Sequence, residues 1–313
     1  MTITQLKYVL AVAEHKNFTL AADKCAVSQP TLSMQIQKVE EELEILIFDR
    51  SKKPIKLTEI GEKIVNQAKN IVAEASRIQD IVEQQKGYIG GEFRLGIIPT
   101  VMPTLLPMFL NNFIKRYPKV NLIIEELNTA EIIEKLKSGK LDAAIAATPL
   151  MEETIKEIVL YFEPFVAYIP ENYVQFTKKE IEVSDLNLDE ILLLQDGHCF
   201  REGILNLCRT SNQSKTNHFQ LESGSFETLI KLANEGLGTT LLPYLHTLEL
   251  KEKDQSKLRS FVDPKPAREV SLIYPKSELK IQIIDALRST ISGVIKGAIV
   301  FQNVQIISPL SKK

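Results

Sequence analysis

The chain has 313 residues, a nearly balanced charge (38 Lys and Arg against 40 Asp and Glu) and 44% hydrophobic residues. It is long enough for two or three domains with proper cores, and its composition excludes a disordered chain or a polyanion binder throughout. No apolar run approaches the ~18 residues of a membrane span, and Met1-Thr2-Ile3-Thr4-Gln5 lacks the basic and apolar regions of a signal peptide. A cytoplasmic protein with no membrane contact is expected. Its three cysteines, Cys25, Cys199 and Cys208, then lie in a reducing compartment, where disulfides are transient and redox-sensing or catalytic.

Leu6, Val9, Leu10, Val12 and Ala13 recur at helical spacing and predict a first helix over 4–15. Asn17 interrupts the pattern, residues 19–25 predict a short second helix, and Val27-Ser28-Gln29-Pro30 is a tight turn into a third. Ser28 is a good N-cap, and Pro30 falls in the first turn, where its missing N–H is no loss. Leu32, Ile36, Val39 and Leu43 repeat at four, three and four and face inward, leaving Thr31, Ser33, Met34, Gln37 and Lys38 outward. Such a pair of helices is either part of an ordinary bundle or a helix-turn-helix with a polar recognition face. The next stretch, Ile47 to Thr58, reads as a hairpin carrying Arg50, Lys52, Lys53 and Lys56 with no acid after Asp49. A basic wing of this kind suits phosphate contacts that position a recognition helix without reading sequence. Glu40, Glu41, Glu42 and Glu44 form an acidic run expected to point away from DNA.

Ala21-Ala22, Ser28-Gln29-Pro30-Thr31-Leu32-Ser33, Gln35-Ile36, Glu40, Phe48-Asp49-Arg50 and Leu57-Thr58-x-x-Gly61 resemble the winged helix-turn-helix signature of LysR-type transcriptional regulators. The resemblance implies that Gln29, Pro30, Thr31, Ser33 and Met34 approach base edges of promoter DNA while Arg50 and Lys52 meet phosphate. RNA polymerase is the further partner it implies. Two departures stand out: Glu44 occupies the place of a glycine that would cap the recognition helix, and Met34 a place where the family often has a basic residue.

From Thr58 to about Lys86, Ile60, Ile64, Ala68, Ile71, Ala75, Ile78 and Val82 recur at near-heptad spacing without a proline. This predicts a helix roughly 40 Å long that pairs with a second chain, although the same stripe could pack on its own domain. Pairing would place two recognition helices on successive half-sites. Gly87, Gly90 and Gly91 end the helix at a hinge.

Beyond the glycines, strands at 93–98, 120–127 and 141–146 alternate with helices at 104–117 and 130–138, predicting a parallel, doubly wound sheet. Thr100 and Thr129 follow the first two strands, at the carboxyl ends where such sheets bind ligands. A second unit contains an apolar run, Ile191 to Leu194, a strand near 219–221, a helix at 226–235 and a strand at 239–242. The chain returns through 268–273 to a closing helix at 278–295. Two α/β lobes joined by two crossings resemble a periplasmic-binding-protein-like sensor domain. The expected division is a winged helix-turn-helix at 1–58, a dimerising linker helix at 59–88 and a regulatory domain at 89–313, with lobe I at 89–163 and 268–303 and lobe II at 164–267.

In Leu192 to Arg209 the apolar run ends at a Gln195-Asp196-Gly197 turn, followed by His198 and Cys199 at the start of a helix, with Arg201 two positions on. An adjacent imidazole, a nearby guanidinium and a helix N-terminus all favour thiolate at Cys199. If the segment is helical to Cys208, the two Cα atoms lie roughly 13 Å apart, whereas a disulfide needs about 7 Å or less. Joining them would require refolding, as in a switch. Inert core thiols are the alternative, which Cys208 suits better than Cys199. A zinc site from His198, Cys199, Cys208 and His218 lacks the close C-x₂₋₄-C pairing of structural sites, so no metal and no cofactor are expected.

The block Gln195-Asp196-Gly197-His198-Cys199-(x)₈-Cys208, with Gly96-Ile97-Ile98-Pro99-Thr100, Asn128-Thr129, His218 and Ala267-Arg268-Glu269, is similar to the hydrogen-peroxide-sensing members of the LysR family. That resemblance implies a peroxidatic Cys199, a resolving Cys208 and a polar shell of Thr100, Thr129, His198, His218 and Arg268. It also implies an activator of oxidative-stress genes, assembled as a dimer of dimers and reset by a glutaredoxin- or thioredoxin-type reductant. For three shell residues a purely structural role competes: helix N-cap for Thr129, strand edge for His218, surface ion pair for Arg268. Two other functions compete as well, a LysR-type regulator of a small organic effector with incidental cysteines, and a thiol peroxidase that turns over.

Overall fold

The structure, a computed structural model, describes residues 1–85, 89–208, 223–299 and 304–310; within the long helix, side chains are described as far as residue 72 and at 75. The chain forms two compact units, Met1–Tyr88 with Ser138–Lys140, and Ile89–Lys137 with Leu141–Lys313. No helix among the described residues is long and apolar enough to cross a membrane.

In the first unit, α1 (Ile3–His15), α2 (Phe18–Lys24) and α3 (Gln29–Glu42) begin at side-chain caps. Thr2 and Gln5 form a reciprocal capping box, Asn17 Oδ1 accepts the Thr19 and Leu20 N–H groups, and Ser28 Oγ accepts that of Thr31. Val9, Val12, Ala21, Leu32, Ile36 and Val39 fill the core between them. A two-stranded antiparallel wing, β1 (Phe48–Asp49) with β2 (Lys56–Leu57), follows. Glu44 stands at φ 53°, the left-handed conformation that its missing glycine would adopt freely.

Glu40 departs from the expected outward acidic run. It is 5% exposed; its Oε1 accepts the backbone N–H groups of Ile47 (2.8 Å) and Phe48 (3.2 Å), and its Oε2 accepts Arg50 (2.8 Å). Buried N–H groups at the start of the wing need an acceptor, and a carboxylate on the inner face of α3 supplies it. The other glutamates of the run are exposed.

Helix α4 (Glu59–Gln85) starts where Thr58 Oγ1 accepts the Gly61 N–H at 2.9 Å. A Cβ at Gly61 would lie 2.1 Å from the Ile47 carbonyl oxygen, so only glycine allows this close approach to the wing. The expected heptad seam divides. Ala68 is buried within the chain, as is its neighbour Val65, whereas Ile60 and Ile71 face outward. The side chains of Ile78 and Val82 lie outside the described residues.

The second unit begins with β3 (Gly91–Ile97), α5 (Met102–Arg116), β4 (Val120–Glu126), α6 (Thr129–Lys137) and β5 (Ala143–Thr148). These open as the expected parallel order, β4-β3-β5. The long β6 (Ile155–Tyr168) follows, then β7 (Glu180–Ile181), α7 (Cys199–Leu207), α8 (Phe226–Asn234), β8 (Thr240–Pro243), the short α9 (Tyr244–Thr247) and α10 (Glu252–Gln255), and β9 (Leu258–Phe261). The chain returns along β10 (Lys265–Pro275) to α11 (Ile281–Ile295) and β11 (Val304–Ile306). Strand β10 lies between β5 and β6 and is antiparallel to both, so the sheet is mixed. Strand β6 supplies Ile155 and Tyr161 to a core built on β3, α5 and α11, and Phe165, Ala167 and Tyr168 to a second core with α7 and α8. These are the two lobes.

In the run Ile191–Leu194 three residues are buried as its composition predicts, with Leu193 half-buried, but the run makes one parallel bridge, Ile191 to Thr239, rather than a strand. The Leu192 carbonyl is taken by the Thr240 hydroxyl at 2.9 Å instead of by a backbone neighbour, which ends the ladder. The strand expected near 219–221 lies outside the described residues.

Candidate functional site

Helix α7 starts directly after the Asp196-Gly197 turn, where Gly197 has φ 90°. His198 is its N-cap residue, Cys199 its first helical residue and Cys208 its C-cap. Eight residues lie between the two cysteines, and nine helical steps put their Cα atoms roughly 13 Å apart. Both are free and buried. Cys199 belongs to the lobe I core with Ile145, Ala147 and Leu245, while Cys208 lies in the lobe II core with Phe165, Ile204 and Leu207. One helix therefore holds one sulfur in each core.

The cation beside Cys199 is not one of its sequence neighbours. Arg201 turns back to the preceding loop, pairing with Asp196 at 2.8 Å and donating to the Leu194 carbonyl at 3.0 Å. His198 is buried, and loss of solvation lowers its pKa, opposed by Glu126; it is biased towards the neutral form. The positive charge comes from Arg268, reached from β10 and 3% exposed. Its Nε and Nη2 donate to Glu163 Oε2 at 2.9 and 2.7 Å, Nη1 donates to Thr100 Oγ1 at 2.8 Å, and Nη2 also to the Thr100 carbonyl at 3.0 Å. The guanidinium stacks on Phe200, 5.1 Å from the ring centroid. Arg268 is thus in a buried ion pair, not a surface one.

Burial is the largest influence on the Cys199 thiol and raises its pKa; Arg268, the Thr129 hydroxyl and backbone groups of Ala147 and Phe200 pull the other way without prevailing. The thiolate bias expected from the flanking residues is therefore reversed at rest, because desolvation disfavours any anion here. Cys208 is pushed up to about 11 by burial alone.

Thr129 opens α6 but does not cap it. Asn128 does, accepting the Glu131 N–H at 2.9 Å and donating its own N–H to Glu131 at 3.0 Å. The Thr129 hydroxyl is left buried without a conventional partner, within reach of the Cys199 sulfur. Thr100 is buried on Arg268. The structure therefore gathers Thr100, Thr129, His198 and Arg268 around Cys199; His218 lies outside the described residues. Among the described residues no three His, Cys, Asp or Glu side chains gather in a way that could hold a metal, and Cys199 and Cys208 point into separate cores.

Two contributors were not singled out from the sequence. Glu163 is 1% exposed, and besides Arg268 it accepts the Leu245 N–H at 2.9 Å, tying β10 to α9. A lone carboxylate inside the apolar run from Ile158 to Ile169 was the available signal. Asn206, near the end of α7, donates to the carbonyls of Ser308 (2.9 Å) and Leu310 (2.7 Å). The tail is held further by parallel pairing of β11 with β10 and by the Ile307 N–H bond to Ala267. Polar contacts of a helix with a distant tail leave no local pattern to read.

In the first unit, Gln29, Pro30, Thr31 and Met34 are exposed along the start of α3, with Ser33 half-buried. Thr31 Oγ1 is 2.7 Å from Ser28 Oγ. Arg50 is partly committed: it pairs with Glu40, reaches Ser33 Oγ at 3.4 Å and stacks on Phe18. Lys52 is exposed on the wing.

The family described as the bacterial regulatory helix-turn-helix protein, lysR family, matches residues 3–62, and the LysR substrate binding domain matches residues 86–294. A hydrogen peroxide-inducible genes activator of Pectobacterium carotovorum is 34% identical over 95% of this chain and 99% of its own length. The DNA-binding transcriptional dual regulator OxyR of Escherichia coli K12 is also 34% identical, over 94% of this chain and 97% of its own. Among solved structures, full-length OxyR C199D from Pseudomonas aeruginosa superposes with a TM-score of 0.75 at 34% identity, covering 93% of this chain and 98% of that one. A hydrogen-peroxide-bound OxyR cysteine mutant from Corynebacterium glutamicum gives 0.63 at 28% identity, covering 97% and 98%. The chain belongs to the LysR family of helix-turn-helix transcriptional regulators, among the members named OxyR or hydrogen peroxide-inducible genes activator.

Proposed function

We propose that this protein is a transcriptional regulator that senses hydrogen peroxide through Cys199. The observation that carries the reading is a buried thiol beside Arg268, with a second thiol at the far end of the same helix and in a different core. In the first step the Cys199 thiol attacks one peroxide oxygen and the O–O bond breaks. Cys199 becomes a sulfenic acid, and the departing hydroxide takes the thiol proton to leave as water. Arg268 stabilises the anionic sulfur and the departing oxygen, while Thr100, Thr129, His198 and His218 orient the peroxide. In the second step Cys208 displaces hydroxide from the sulfenic acid, giving a disulfide and a second water. The disulfide cannot form while α7 is intact, so oxidation remodels lobe II. That change passes through the linker helix at 59–88 to the DNA reader at 1–58.

Gln29, Pro30, Thr31, Ser33 and Met34 read promoter DNA, with Arg50 and Lys52 on phosphate; a dimer of dimers activates oxidative-stress genes with RNA polymerase. A cytoplasmic thiol reductant of glutaredoxin or thioredoxin type resets the switch, and no peroxide turnover as an enzyme is involved. An organic carboxylate effector fits less well, since four of the five N–H groups of Arg268 are already donated within the protein. The test is peroxide treatment followed by disulfide mapping in the native chain, Cys199→Ser and Cys208→Ser. A Cys199–Cys208 disulfide is expected in the native chain, a stable sulfenic acid in Cys208→Ser and no response in Cys199→Ser. Cysteines still reduced at stoichiometric peroxide would end this reading.

A further inference from the structure

Strand alternation places Tyr161, Glu163 and Phe165 on one face of β6. That face meets the start of α7: Glu163 holds Arg268, and the Phe165 ring lies 4.9 Å from that of Phe200, the residue after Cys199. Tyr161 is 6% exposed within the core that also contains Cys199. Its hydroxyl is fully buried and has no hydrogen-bond partner within the protein. Buried hydroxyls do not stay unpaired, and the polar groups on this face are Glu163 and Arg268, both of which act on Tyr161 electrostatically.

We propose that Tyr161 is a positioning residue for the Cys199 chemistry: its hydroxyl shares a water with Glu163, and by drawing on that carboxylate it sets how much of the Arg268 charge is left for the sulfur. Arg268 is hydrogen-bonded to Glu163 and interacts electrostatically with Cys199. Whatever engages Glu163 from the far side frees the guanidinium for Cys199. The charged group acting on Cys199 is Arg268 from β10; Glu163 and Tyr161 from β6 act on Arg268 in turn, and His198, the preceding residue, is acted on by Glu126 at the end of β4. Tyr161→Phe removes only the oxygen and keeps the packing, so it isolates this effect.

The inference rests on Cys199 being the reactive thiol, and the experiment separates the two. In the full-length protein, the rate of Cys199 modification is measured against pH with hydrogen peroxide and with iodoacetamide, the site being read by mass spectrometry. Tyr161→Phe is expected to move the midpoint of both profiles upward by about half a pH unit, a roughly threefold slower reaction below the midpoint, with the high-pH plateau unchanged. An unchanged midpoint, or a uniform loss of rate at every pH, overturns the role given to Tyr161. If the iodoacetamide profile shifts while peroxide leaves native Cys199 untouched, Tyr161 keeps its role and the peroxide reading falls.

Discussion

Replacing Asn206 by alanine isolates the contact between α7 and the C-terminal tail. Its side-chain amide donates to two tail carbonyls, of Ser308 and Leu310. Two neutral hydrogen bonds stabilise the reduced arrangement by about 1–3 kcal/mol together. Alanine is the better helix former by about 0.6 kcal/mol, which offsets part of the loss. A net destabilisation of the reduced state of roughly 0.5–2.5 kcal/mol remains. The disulfide state has already given up the helix, so its free energy does not carry this term. For a two-electron couple 1.4 kcal/mol corresponds to about 30 mV, so the disulfide should become harder to reduce by about 10–50 mV. The assay equilibrates native and Asn206→Ala protein in glutathione buffers of defined ratio, traps the thiols and quantifies the Cys199–Cys208 disulfide. A potential that stays put or turns more oxidising would show that the tail contact is not part of the reduced state's stability.

Glu44→Gly should stabilise the first unit by about 1 kcal/mol, because φ 53° strains any side chain there; thermal unfolding of the two proteins decides it, and a lower midpoint for the glycine variant contradicts the expectation. Glu40→Ala should destabilise the same unit by roughly 3 kcal/mol, since two buried N–H groups and Arg50 lose their acceptor; a shift below 1 kcal/mol in denaturant unfolding would mean water replaces the carboxylate. Lys52→Ala should leave stability unchanged and reduce the salt dependence of DNA binding by about one charge, whereas Arg50→Ala should lower both stability and affinity. For Cys208 the folded pKa lies above the ordinary 9.0, so its stabilising contribution is complete below pH 9 and is lost as pH rises through about 11. The reduced protein should lose about 2 kcal/mol over that window, and a Cys208→Ala variant that loses stability just as steeply would remove Cys208 as the cause.

Much of the fold was legible because it rests on local rules. Ser28 caps α3 where its side chain can reach a free N–H group, and the apolar spacing of α3 gave its inner face directly. The site was legible in part. Gly197, His198, Cys199 and Cys208 are contiguous enough to show a turn feeding a helix between two thiols. What escaped was long-range: the charge on Cys199 comes from Arg268, sixty-nine positions along the chain, rather than from Arg201 or His198 beside it. Proximity in sequence suggested an activated thiolate, yet solvent exclusion, which sequence does not display, decides the sign. Glu40 misled for the same reason, since a run of four acids looks uniformly exposed until one of them faces two unsatisfied amides. The mixed sheet also followed from a distant return, the insertion of β10 between β5 and β6.

Because α7 keeps one sulfur in the lobe I core and the other in the lobe II core, bringing them together must vacate at least one hydrophobic site. The void left behind carries its own penalty, and that penalty is a threshold set by ordinary packing instead of by bond strain. The dose at which such a sensor fires is then written into the apolar residues that share a core with each sulfur: loosening Phe165 or Ile204 on one side, or Ile145 or Leu245 on the other, lowers the threshold without altering a reacting group.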